Sequence, residues 1–245
     1  MRIARWVLIA AGVTVALFGW RPFESHINAA ETIEAGYTSF ESGARRLPDG
    51  TYQVSALTRM PNVKAHMVRW WFTDFLQTTE HYTWWHPEAH VWMGWENKVP
   101  GEIVGASHLV HEYIGDEMQK LRIQFVDPTE FFIEDPNDED TFALCARPGL
   151  LDEPLIVGRM CHVVRNTPWG AEMRSRFWLG HVAARDGNEI HQTFLTAIAN
   201  TAIVRYFALD EAAAVDLLTH AIEEMGYLGD LLPELYERET GDTSG

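Results

Sequence analysis

The chain has 245 residues, 47% hydrophobic and 22% charged, a globular composition that excludes a disordered, collagen-like or coiled-coil protein. Nineteen Lys and Arg stand against 35 Asp and Glu, so the formal net charge is −16, and without a basic cluster such a surface repels nucleic acid. The two cysteines, Cys145 and Cys161, are too few for a disulfide framework and too far apart for a Cys-x-x-Cys motif, and the sequence leaves their pairing open.

Met1 to Arg5 is a basic start, and Trp6 to Trp20 carries no charge. As a helix that run is about 22 Å long, short of the roughly 30 Å hydrocarbon core. Residues 1–20 are therefore expected to be a signal peptide or membrane anchor. With no Ala-x-Ala after it, an uncleaved tether through residues 6–20 is favoured, with the domain on the periplasmic or extracellular side. If the segment is not a signal, the domain is cytoplasmic. Residues 21–50 read as a polar lead-in ending at the turn Leu47-Pro-Asp-Gly50, and residues 51–245 as one domain.

Thr51 to Thr58 alternates as a strand. Pro61 then stands where a helix favours its first residue, with Val63, Met67, Trp70, Trp71 and Phe75 at helical spacing. Pro87 is expected to open a short helix with His90 in its first turn. Strands are predicted over Ile103–Gly115, Met118–Val126, Glu130–Glu134, Thr141–Ala146, Gly158–Arg165, Ala171–Val182 and Glu189–Ala199. Asp210 is the predicted N-cap of a helix through Met225, closed by Gly226, with Val215, Leu218 and Ile222 on one face. A shorter helix should follow through Tyr236. This order gives α+β architecture, and it is similar to the START-like helix-grip fold, a curved antiparallel sheet around a long C-terminal helix.

Three clusters can carry chemistry. His220-Ala-Ile-Glu-Glu224 puts an imidazole and a carboxylate one helical turn apart, able to share a cation; a solvated helix face is the competing explanation. His81, His86 and His90 fall within ten residues among several tryptophans; for His81 and His86 individually, decoration of an aromatic layer is the favoured explanation. In the segment Ser107 to Gly115, His108, Val110, Glu112 and Ile114 share a strand face, and a buried carboxylate there needs a partner such as a metal. His162 shares a face with Met160 and Val164, where it can also be an ordinary core histidine. Asp135 to Asp140 is an acidic turn, since an EF-hand loop would need Gly where Asp140 stands. No Gly-x-Ser-x-Gly or phosphate-binding glycine loop is present.

Several blocks, in order, carry a resemblance: Arg59 to Val63, Met67 to Phe72, His81 to His90, His111 to Gly115, Gly170 to Gly180, and His220 with Glu224. From about Thr51 to Glu224 the chain resembles the 2,4-diacetylphloroglucinol hydrolase family, which includes phloretin hydrolase. The resemblance implies a zinc-dependent hydrolase of the carbon–carbon bond between a phenolic ring and an acyl group. It implies zinc ligands at His90, Glu112, His220 and Glu224, with His86 or His81 as substitutes for His90 left open. It also implies a substrate-contacting Tyr82 and a catalytic His162. Met93 and Phe177 stand where the family has polar substrate contacts, which implies a less hydroxylated substrate. The N-terminal segment departs from an otherwise cytoplasmic family. The expected partner is a small acylphenol or a related β-diketone-like hydrophobic compound. A homodimer is compatible with the sequence, though nothing in it requires one. The alternative is a non-catalytic helix-grip carrier of a hydrophobic small molecule.

Overall fold

Apolar alternation at every second residue runs through the central strands, and their neighbours bury the facing sets on one side. In this computed structural model, which describes residues 29–132 and 134–242, the strands are β1 (Gly43–Arg46), β2 (Tyr52–Pro61), β3 (His90–Glu96), β4 (Ser107–Ile114), β5 (Glu117–Val126), β6 (Thr141–Leu150), β7 (Leu155–Thr167), β8 (Gly170–Asp186) and β9 (Glu189–His191). They form one antiparallel sheet in the order β1-β2-β8-β7-β6-β5-β4-β3, with β9 pairing β8. The helices are α1 (Ala65–Trp70, continuing as a π-turn to Phe75), α2 (Thr79–Trp85), α3 (Phe194–Ala199), α4 (Ala202–Ala208) and α5 (Glu211–Thr240).

One sheet face packs against α5. Val54, Met60, Val110, Phe142, Leu144, Val164, Met173 and Phe177 meet Ala214, Ala221, Met225, Leu228 and Leu232 in a single core. This is the α+β helix-grip architecture, a curved sheet closed by a long C-terminal helix. The other face carries a smaller core around Cys145, Cys161, Val163 and Trp178. Cys145 and Cys161 stand opposite each other on β6 and β7 and are disulfide-bonded.

Residues 29–50 do more than lead in. Ala29 and Thr32 are buried, and Arg174 binds the carbonyls of Thr32 and Glu34 at 3.0 Å and the Glu41 carboxylate at 2.9 Å. Arg176 adds a 3.0 Å bond to Glu41, so this segment is strapped across the sheet and then supplies β1. The leader expected over residues 1–20 lies outside the described residues. Among the described residues no helix is long and apolar enough to cross a membrane.

Local expectations fail where a distant partner decides. Pro61 ends β2, and the helix starts at Ala65, whose N–H donates to Asn166 Oδ1 at 2.8 Å, a cap supplied from β7. Residues 87–89 form a turn, so His90 opens β3 and not a helix. Glu130 belongs to a 3-10 turn (Pro128–Glu130) that Asp127 Oδ1 caps at the Thr129 N–H, and the strand expected over Glu130–Glu134 is absent among the described residues. β9 stops at His191 because Thr193 and Thr196 form a capping box that starts α3.

Asp210 caps α5 as expected, accepting from Ala213 N at 2.8 Å. Gly226 does not end the helix; α5 runs on through Pro233 to Gly241, whose φ of 74° is the left-handed conformation of a C-cap glycine. Nor is Gly229 a terminator: a Cβ there would sit 3.1 Å from Met60 Cγ, so its missing side chain lets α5 approach β2. Val215 and Ile222, expected on the apolar face, are exposed, and the buried stripe runs through Ala214, His220, Ala221, Glu224 and Met225.

Candidate metal centre

α2, β3, β4 and α5 each bring one part of a buried polar cluster to the edge of the core. His90 is buried at the start of β3 and pairs in register with Glu112 on β4. A β-bulge at Val91 follows, so His90 and Met93 both point inward while Val91 and Trp92 are exposed. From α5, His220 and Glu224 face the same space one turn apart.

The donor atoms converge. His90 Nε2 lies 3.9 Å from Glu112 Oε2 and 3.7 Å from Glu224 Oε2, and His220 Nε2 lies 4.0 Å and 3.8 Å from the same two oxygens. Ligand atoms of His90, Glu112 and His220 all fall within 4.8 Å of one another; Glu224 is outside that mutual group but reaches both imidazoles. Donors about 2.0–2.2 Å from one zinc sit roughly 3.3–3.6 Å apart, so the four imidazole–carboxylate distances are a few tenths of an ångström longer than in a closed tetrahedron.

The hydrogen bonds around the cluster prepare it for a cation. The Tyr82 carbonyl accepts from His90 Nδ1 at 2.9 Å, which puts the proton on Nδ1 and leaves the Nε2 lone pair bare. That Nε2 is buried and has no hydrogen-bond partner. The Tyr82 ring stacks on His90 at 3.7 Å, and its hydroxyl donates to Glu112 Oε2. Trp85 donates from Nε1 to the Glu224 carbonyl at 2.8 Å, tying α2 to α5. Two imidazoles and two carboxylates with one orphaned ring nitrogen fit a zinc-type ion well, and softer thiolate-seeking metals poorly.

Charge is expensive here, and the groups respond. Burial pushes the Glu224 carboxyl up to about 8, with neighbouring His220 opposing and Glu112 reinforcing. Burial holds the His90 imidazole down at about 4. The Tyr82 hydroxyl is raised well above its ordinary value by burial and then by Glu112. His108, stacked on Trp95 at 4.6 Å and edge-on to Tyr82, is lowered to about 3, again by burial.

The other expected residues lie on the same side of the sheet. His162 on β7 is buried and held down to about 4 by burial, with Nδ1 2.7 Å from Ser175 Oγ. Phe177 meets the His162 ring edge-on at 5.6 Å, and Met93 is buried opposite Val110. His81 stacks on Phe75, away from the four donors. His86 is buried beside the cluster, its ring 5.4 Å from those of both His90 and His220 and its Nε2 3.6 Å from Glu223 Oε2. Ser175 was invisible to sequence reasoning, because only strand pairing puts it opposite His162. Two surface cavities of about 290 and 280 Å³ lie elsewhere, one against Pro48 and Tyr206, the other against Arg69 and Asn137. The chemistry of the donor set, and not cavity size, marks the site.

Comparison with known proteins identifies the chain's relatives. A 2,4-diacetylphloroglucinol hydrolase from Pseudomonas sp is 28% identical over 233 residues, covering 85% of this chain and 74% of that one. The enzyme of the same name from Pseudomonas protegens is also 28% identical, covering 85% of this chain and 71% of its own length. Phloretin hydrolase from Eubacterium ramulus is 25% identical over 207 residues, covering 78% of this chain and 69% of that one. The family model described as the DAPG hydrolase PhiG domain matches residues 24–237, nearly the whole chain, and the protein belongs to that family of hydrolases.

Proposed function

We propose that this protein is a zinc-dependent hydrolase that cleaves the carbon–carbon bond between an aromatic, phenolic ring and an acyl group. Its relatives' names supply the substrate class, 2,4-diacetylphloroglucinol and phloretin. The observation that carries the metal is the buried, unpartnered Nε2 of His90, with carboxylate oxygens of Glu112 and Glu224 at 3.9 and 3.7 Å and a His220 ligand atom within 4.8 Å. A bare nitrogen buried without a partner is costly unless a ligand occupies it.

His90, Glu112, His220 and Glu224 would hold the zinc, and the chain's own groups do the rest. When bound, zinc supplies a Lewis acid for the acyl carbonyl and brings water toward a pKa of about 7. Tyr82 orients Glu112 through its hydroxyl and His90 through its carbonyl. Met93, Phe177, Val110 and Met160 form apolar walls that receive a ring and keep water from it. His162 serves the departing ring carbon or its oxygens with a proton or a hydrogen bond, worth about 10²–10⁴-fold. Met93 and Phe177 carry no hydroxyl or amide, so a ring with fewer hydroxyls is the preferred substrate.

The test is metal analysis with turnover. About one zinc per chain, lost in His220→Ala or Glu112→Ala, together with acid released from an acylphenol, supports the reading. Metal-free protein that still binds hydrophobic dyes or lipids overturns it in favour of a carrier.

A further inference from the structure

We propose that Ser175 is a positioning residue that clamps His162 in the tautomer with its proton on Nε2, making that ring a standing hydrogen-bond donor. This deepens the reading above and rests on His162 being the substrate-facing histidine.

The argument is an accounting of protons. His162 on β7 and Ser175 on β8 are paired in register, and both are buried. Their side chains meet at 2.7 Å, Nδ1 to Oγ. Among the described residues this is the one hydrogen bond either side chain makes inside the protein. The hydroxyl owns a single proton. If Nδ1 carried the ring proton and donated to Oγ, the hydroxyl proton would be buried without an acceptor. Stranding a buried donor carries a larger penalty than making the bond recovers. If Ser175 donates to a bare Nδ1, every proton inside the contact is used, and the neutral ring keeps its own on Nε2. Burial keeps the ring neutral, holding it down at about 4, so the choice between tautomers is the relevant one near neutral pH.

The arrangement mirrors His90 with opposite sign. There a backbone carbonyl can only accept, so the proton goes to Nδ1 and Nε2 is left bare for a cation. Here a hydroxyl donates, so Nδ1 is bare and Nε2 bears hydrogen. Two buried histidines of one core are thus set to opposite tasks by their partners, one to ligate and the other to donate. A neutral Nε2–H suits an acceptor atom on the substrate, such as the oxygen of the acyl group or of the ring. It does not suit removal of a proton from water, which needs a bare nitrogen.

The test reads the tautomer directly, by nitrogen NMR on the zinc-loaded protein with labelled histidine, assigning His162 by its absence from the His162→Gln spectrum. The expected spectrum shows a protonated Nε2 and a bare Nδ1. In Ser175→Ala the ring should shift toward the other tautomer and kcat should fall about tenfold or more at unchanged zinc content and similar KM. Ser175→Thr, which keeps the hydroxyl, should restore the wild-type tautomer and most of the rate. A protonated Nδ1 in the wild type overturns the proposal, as does a Ser175→Ala variant with unaltered tautomer. Should the protein cleave no acylphenol, the function fails while the tautomer still decides the clamp.

Discussion

Tyr82 and Glu112, thirty residues apart, are joined by a buried hydrogen bond in which the phenol donates to Glu112 Oε2. The same tyrosine stacks on His90 and binds its Nδ1 through the backbone carbonyl, so one residue of α2 orients two donors of the candidate centre. Tyr82→Phe keeps the stack and the carbonyl contact but frees the carboxylate. Zinc affinity should fall about 10–100-fold with little change in fold. Competition with a chromophoric chelator measures it, and an unchanged affinity would remove Tyr82 from the support of the site.

The stability of the metal-free protein should peak near neutrality. Glu224 titrates at about 8 when folded and near 4.5 when free, so its folded form keeps a proton that the unfolded chain releases. Stability therefore falls as pH rises between those values. His90 and His162 are held at about 4, and His108 at about 3, against an ordinary 6.5, so the unfolded chain takes up protons first as pH falls. Stability is lost below 6.5 for that reason. A Tm series on metal-free protein should have its maximum at about pH 6–7. Zinc affinity should climb toward pH 8, because binding must expel the Glu224 proton. A metal-free Tm that keeps rising to pH 9 would contradict the Glu224 assignment.

The disulfide closes a loop between residues 16 apart in sequence, for which chain-entropy arguments give about 3 kcal/mol. The double variant Cys145→Ser with Cys161→Ser should lose roughly that much in denaturant unfolding, and the unreduced, unfolded wild type should show no free thiol. Structural disulfides persist in oxidising compartments, so we propose that the domain is exported. Fractionation of a host expressing the full chain tests this, and recovery in the cytoplasm with both thiols free would contradict export.

Phe177→Tyr places a hydroxyl beside His162, where the apolar wall now stands. Turnover should move toward more heavily hydroxylated acylphenols, with kcat/KM for them rising about tenfold relative to sparsely hydroxylated ones. Steady-state kinetics on a matched pair of substrates reads the ratio. A ratio that does not move excludes Phe177 as a determinant of ring specificity.

The period of apolar residues was enough to read β2, β4 to β8 and the start of α5, because burial of one face imposes alternation along a strand and an Asp before a helix marks its cap. It misread the elements whose ends depend on remote atoms. Asn166 caps α1 from another strand, Thr193 converts an apolar run into α3, and α5 passes through the expected stop at Gly226 to Thr240. The i, i+4 pair His220 and Glu224 was legible from helical spacing alone. Glu112 was legible as a carboxylate on an apolar strand face.

The meeting of those residues was not in any local pattern. His90 reaches the centre because a bulge at Val91 turns it inward, and Ser175 reaches His162 because β7 and β8 pair in one register. Spacing along a chain sets which side chains share a face of one element. Which faces then confront each other, and which tautomer each buried histidine keeps, is settled by packing and by the hydrogen-bond partner that burial leaves it.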